Sequence, residues 1–125
     1  PPTVFVASIG GFSGHSYKVE MNDNGNLLYH QNPDGFIEDG GTTEEIMVTE
    51  DMWNQMRERF NSAEVWKWRR RYDDLSIADG TVWKLRLEYP DQSIVSSGSN
   101  AYPRREQFNT FLEAVSELAD GSPFE

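Results

Sequence analysis

The chain between residues 66 and 72 carries the side chains best suited to hold a ligand. Its sequence, WKWRRRY, places four of the eleven basic residues of the chain within five positions, beside three aromatic rings. Guanidinium groups and aromatic planes together hold phosphates, carboxylates or a stacked base. The candidate ligand-binding residues here are Trp66, Trp68, Arg69, Arg70 and Arg71. Alternatively, the rings enter the core, and the arginines form salt bridges with Asp73, Asp74 and the acidic first half of the chain.

A second candidate for anion binding is the loop of residues 100–105, NAYPRR, which precedes a predicted helix. Free amides at the start of a helix bind anions, and Arg104 and Arg105 would add charge-assisted hydrogen bonds. The alternative is that Asn100 and Tyr102 hold the corner between strand and helix through side-chain hydrogen bonds.

Catalytic chemistry has weaker support in the sequence. Asp73, Asp74 and Asp79 are the acids that could build a cleft, but adjacent residues of a strand point to opposite faces. No Gly-x-Ser-x-Gly nucleophile elbow occurs. An enzyme of unknown class is therefore the third functional hypothesis, and no catalytic residue is assigned.

The sequence predicts no cofactor or metal. The glycine-rich run at residues 10–14 lacks the Lys-Ser/Thr pair of a phosphate-binding loop and predicts a hairpin loop instead. The asparagines of residues 22–26 do not have EF-hand spacing and indicate a turn. His15 and His30 have no third ligand at a characteristic spacing, and the chain has no cysteine.

Charge is distributed unevenly along the chain, whose net charge is -10. Residues 1–56 hold one base, Lys18, against nine acids, whereas residues 57–125 hold ten bases against twelve acids. An acidic surface repels polyphosphate backbones and attracts basic proteins, so we expect no general nucleic-acid binding. The predicted protein-binding acidic face comprises Asp34, Glu38, Asp39, Glu44 and Glu45.

Alternating apolar residues predict strands at residues 3–9, 16–21, 26–31, 42–48, 82–89 and 92–97. Helical spacing predicts one helix starting after Thr49 and ending at residues 61–62, and a second running from Pro103 to about residue 119. Residues 65–72 are predicted to be extended. This order favours an α+β fold: one domain, residues 1–125, with a single antiparallel sheet of about six strands and two helices packed on one face.

The C-terminal half resembles a group of small uncharacterised bacterial proteins that share a DG-x-x-W … GSNAYP … F pattern. The matching residues are residues 66–72, then Asp79, Gly80 and Trp83, then residues 98–103, then Phe108 and Phe111. The resemblance spans roughly residues 53–118. It implies an α+β fold and a bacterial or phage setting, and it implies no activity.

The leading hypothesis is a non-catalytic binding domain that recognises another protein, basic in character. An immunity-type or inhibitor protein opposing a basic effector is one concrete form. No run approaches the roughly 20 apolar residues of a membrane span and the N-terminus has no signal pattern, so we expect a soluble, cytoplasmic protein that does not bind membranes.

Overall fold

The computed structural model describes residues 1–11, 14–76 and 80–125. Its strands, in chain order, are β1 (Val4–Gly11), β2 (Ser16–Met21), β3 (Leu27–Asn32), β4 (Thr42–Ile46), β5 (Arg71–Asp73), β6 (Thr81–Glu88) and β7 (Ser93–Ser99). Helix α1 (Glu50–Ser62) lies between β4 and β5, and helix α2 (Arg105–Leu118) follows β7. The fold is therefore α+β, with two helices and a single sheet, as the sequence predicts.

The described residues form seven strands in the order β4-β3-β2-β1-β6-β7-β5. All neighbours are antiparallel except β5 and β7, which are parallel. The prediction of about six strands in a purely antiparallel sheet is thus wrong at one edge. The predicted extended segment, residues 65–72, begins with a 3-10 turn (Val65–Lys67) and only its end joins the sheet, as the three-residue strand β5.

Helix α1 begins where the sequence predicts. The hydroxyl of Thr49 accepts a hydrogen bond from the amide of Met52 at 3.2 Å, which satisfies one of the free amides of the first turn. Helix α2 begins at Arg105, two residues later than predicted, because Arg104 keeps an extended backbone (φ -52°, ψ 139°). Neither helix in the described part of the chain is long and apolar enough to cross a membrane.

Both helices cover the same face of the sheet. Phe5 and Ile9 of β1 point to one side, and the register places Ile9 opposite Trp83 of β6. The ring of Phe5 meets Trp53 of α1 at 5.8 Å, and the ring of Trp83 meets Phe108 of α2 at 5.1 Å. The core is therefore built mainly from aromatic rings between this face and the helices.

The opposite face of the sheet, here called the open face, has no helix on it among the described residues. It carries Val6, Ser8, Lys18, Lys84 and Val95. Val95 is 42% exposed, so this face is in contact with solvent, except where the 3-10 turn Ile37–Asp39 lies against β2 and β3.

The chain end packs against the sheet, which sets up one pH-dependent contact. The buried hydroxyl of Tyr29 donates to the carbonyl of Pro123 at 2.5 Å. Burial raises the pKa of Tyr29 to about 12, and the nearby Tyr17 and Glu44 add to this effect. The neutral phenol is thus favoured in the folded state.

We expect the protein to lose stability as the pH rises from about 10 to about 12, because the unfolded tyrosine ionises at about 10. The Tyr29→Phe variant should lose less across this range, since it has no such proton to lose. Urea unfolding at a series of pH values measures how the free energy of unfolding of each protein depends on pH. Equal pH dependence in the two proteins would contradict the assignment.

Candidate functional site

The rings of the Trp/Arg segment pack inside the protein. Trp68 is 6% exposed, contacts the ring of Trp83 at 5.8 Å, and its indole N–H donates to the carbonyl of Ala63 at 3.2 Å. Trp66 is half-buried and donates to Asn61 at 2.6 Å. These contacts agree with the alternative in which the rings belong to the core.

The three arginines of this segment have different neighbours. The guanidinium group of Arg69 lies 4.5 Å from the ring centre of Tyr72, Arg71 binds the carboxylate of Asp73 at 2.8 Å, and Arg70 is exposed. Asp74 accepts instead from the amide and hydroxyl of Ser76, which lowers the pKa of Asp74. The segment therefore does not present its arginines to one point.

Arg69 and Arg104 do meet across an open cavity of about 550 Å³, together with Trp68. Its walls also contain Lys67 and Glu64, which pair at 3.3 Å. Arg104 lies 3.8 Å from Glu106. Trp66, Arg70 and Arg71 are not among the described residues of this cavity, and Arg105 lines a different one, of about 460 Å³, beside His15.

Several described motif residues of the C-terminal half meet at one structural corner. The indole N–H of Trp83 donates to the carbonyl of Ala101 at 2.9 Å, and Gly98 lies directly beside that indole. Asn100 accepts from the amide of Thr81 at 3.0 Å. Asn100 thus ties the end of β7 to the start of β6 by a side-chain hydrogen bond, as the alternative for residues 100–105 proposes for it. The ring of Tyr102 instead packs on that of Phe108 at 4.9 Å, so the spacing of these motif residues serves packing.

The five residues of the predicted acidic face lie at one edge of the sheet. All are exposed: Asp34, Glu38 and Asp39 lie in the connection between β3 and β4, and Glu44 and Glu45 lie on β4 itself, an edge strand. We call them the acidic edge. The amide groups of Asn26 and Asn22 lower the pKa of Glu45, and Asn26 donates to it at 2.9 Å.

The ion pairs of the described bases lie elsewhere. The ion pairs of the second half of the chain are Arg57–Asp91, Arg59–Glu113, Arg59–Glu117, Lys67–Glu64, Arg71–Asp73, Arg86–Glu88 and Arg104–Glu106. Within residues 1–11, 14–76 and 80–125, no carboxylate of the acidic edge forms an ion pair. The pairing of Trp/Arg-segment arginines with the acidic first half, considered from sequence, is not found among these contacts.

The two candidate catalytic acids that the structure describes are each bound to a different neighbour. Asp73 is bound to Arg71 and Asp74 to Ser76, while Asp79 lies outside the described residues. His30 binds Glu20 at 3.0 Å and Thr43 at 2.7 Å. Among the residues that the structure describes, no group of three His, Asp or Glu side chains could hold a metal ion.

Two features of the surface are not evident from sequence patterns. A cavity of about 450 Å³ beside the acidic edge is lined by Glu44, Glu45, Ile46, Met47 and Met52. Another, of about 400 Å³, lies on the open face between Lys18 and Lys84. Both depend on which strands and helices become neighbours, which no local pattern specifies.

The sequence was also compared with known proteins. No family model matches the chain, and no curated protein matches it.

Proposed function

We propose that this protein is a non-catalytic binding domain whose acidic edge binds a basic protein. The observation that carries the proposal is that the five carboxylates of the edge are exposed and form no ion pair with any described base. Like charges held together without counter-charges create a local negative potential. Such a potential accelerates association with basic surfaces and repels acidic ones.

The cavity beside β4 supports a basic partner more specifically. Glu44 and Glu45 line it together with the thioether side chains of Met47 and Met52. Met47 is 81% exposed. Lysine and arginine side chains combine a long apolar stem with a charged head, so they complement a pocket of this composition.

The position of the acids on an edge strand also favours recognition of another protein. An edge strand presents unpaired backbone groups to other chains, and acidic side chains on it oppose pairing with a second acidic copy. The same charges do not oppose a basic segment. The finer form of the proposal is an immunity-type or inhibitor protein that opposes a basic effector.

Anion binding by the Trp/Arg segment has less support. Two of the cations around the cavity of Arg69 and Arg104 already have carboxylate neighbours, Lys67 with Glu64 and Arg104 with Glu106. Glu64 itself lines that cavity. The cavity of Arg69 and Arg104 is therefore partly neutralised. The acidic edge, in contrast, has no described counter-charge and is the better site for a charged partner.

The test compares two variants that remove the same charge from different surfaces. The edge variant is Asp34→Asn/Asp39→Asn/Glu44→Gln, and the control variant is Glu58→Gln/Glu106→Gln/Glu113→Gln on the two helices. Each is used to capture proteins from an extract of the native host at low and high salt. We expect the wild-type protein and the control variant to capture a basic partner at low salt only.

The edge variant should bind that partner at least about tenfold more weakly, a change of roughly 1.4 kcal/mol. Capture of no salt-sensitive basic partner would count against the proposal. Equal losses in the two variants would also contradict it, because total charge and not the acidic edge would then determine binding.

A further inference from the structure

The groove on the open face brings together two lysines from strands far apart in the sequence. Ser8 of β1 lies opposite Lys18 of β2 on one side and opposite Lys84 of β6 on the other. Neighbouring strands are about 4.8 Å apart, so the backbones of the two lysines lie about 10 Å apart with Ser8 between them. Two of the three lysines of the chain thus lie along one groove.

These two ammonium groups are incompletely neutralised. Lys84 forms no ion pair with any described residue, and the nearest carboxylate to Lys18 is that of Glu20, at 4.0 Å. Glu20 is also bound to His30, at 3.0 Å. One further acid, Glu38, lines the groove, so the two cations exceed the acids among its described lining residues.

A buried polar atom beneath the groove has no partner among the described residues. Ser16 is 3% exposed, and its hydroxyl forms no hydrogen bond with any residue that the structure describes. A Cβ at Gly10 would lie within 2.2 Å of that hydroxyl, so glycine is required where the groove crosses β1. This oxygen is buried beneath the groove, so a ligand carboxylate there is held by the two lysines and not by Ser16.

The remaining walls are apolar. Val6 and Val82 lie on the floor, and Phe36 and Ile37 form one side. Val82 is 41% exposed and Phe36 39%. The volume, about 400 Å³, falls in the range of small-molecule sites, which combine apolar walls with a few polar groups.

We propose that the open face binds a small organic acid. Its carboxylate lies between Lys18 and Lys84, above Ser8, and its apolar body lies against Val82 and Phe36. This site borders the acidic edge at Glu38, and its function is distinct from the proposed protein binding. Either proposal can fail without the other, because the edge variant leaves all five of these residues unchanged.

A titration followed by NMR spectra of the backbone amides tests the site with octanoate as the probe. We expect saturable shifts at Ser8, Lys18 and Lys84. Inorganic phosphate lacks the apolar body and 1-octanol lacks the charge, so each should bind at least about tenfold more weakly than octanoate. Equal binding of either one would overturn the proposal.

Two charge-matched variants locate the binding. Lys18→Gln/Lys84→Gln should weaken octanoate binding at least about tenfold, whereas Lys67→Gln/Arg104→Gln, at the cavity beside the Trp/Arg segment, should leave it unchanged. Both variants alter exposed or half-exposed side chains, so both should fold, and thermal unfolding checks this. Octanoate shifts centred elsewhere, or equal losses in the two variants, would overturn the assignment.

Discussion

Replacing Trp83 with alanine will lower the free energy of unfolding by about 3–5 kcal/mol, the usual cost of removing a large buried aromatic side chain. Trp83 is completely buried, and its ring lies 5.1 Å from that of Phe108 and 5.8 Å from that of Trp68. Its indole N–H is bonded to Ala101. The substitution removes contacts with Trp68 on one side and with helix α2 on the other.

Urea unfolding followed by circular dichroism measures this loss. The neighbouring Val82→Ala variant is the control, because Val82 is 41% exposed on the open face and its change should stay within about 0.5 kcal/mol. If the alanine variant does not fold, Trp83→Phe keeps most of the ring contacts and should lose about 1–2 kcal/mol with the indole hydrogen bond. A loss below about 0.5 kcal/mol in both Trp83 variants would contradict the core placement.

Replacing Gly98 with alanine will lower the free energy of unfolding by about 3 kcal/mol, the upper end of the usual cost of overpacking. Gly98 lies opposite Trp83 in the sheet. A Cβ there would lie 2.2 Å from the indole nitrogen of Trp83 and 2.3 Å from the carbonyl oxygen of Ala101. Neither atom belongs to a flexible chain end, so the corner between β7 and α2 must shift.

The control is Ser97→Ala, the preceding residue of the same strand, which should change stability by less than about 1 kcal/mol. The cost of Gly98→Ala should also fall in the Trp83→Phe background, because the nearest atom is then absent. Strictly additive losses in the double variant would show that the two residues do not meet as the structure places them.

The sequence predicts most of the fold because its strands alternate clearly and its helices have defined starts. The alternation in Thr81–Glu88 places Trp83 and Leu85 in the core, where both are buried. The cap at Thr49 locates the start of α1 within one residue. These signals are local, so a single sequence is enough to find them.

The error at strand β5 has a non-local cause. Trp66 and Trp68 alternate as a strand would, but Glu64 adopts a left-handed backbone (φ 53°) and residues 65–67 form a 3-10 turn. Only Arg71–Asp73 reaches β7, where the amide of Ser97 donates to the carbonyl of Arg70 at 3.0 Å. The pairing of this strand with β7, and with it the parallel direction, depends on tertiary contacts and not on a local pattern.

The two candidate sites also differ in whether the sequence alone reveals them. The acidic edge is visible in the sequence because its residues are close along the chain. The groove of Lys18 and Lys84 is not, because its lysines are 66 positions apart in the numbering and meet only through the register of β1 with both neighbours. Local patterns therefore indicate a surface charge but not a site assembled across strands.

The most direct test of the acidic edge is to map where an oligolysine peptide binds, by NMR shifts of the backbone amides at low and high salt. We predict shifts at Asp34, Glu38, Asp39, Glu44 and Glu45 that decrease at high salt. Glu113 and Glu117 serve as internal controls, because both are paired with Arg59. Shifts at these two residues as large as those of the acidic edge would contradict the claim that its unpaired charge selects basic partners.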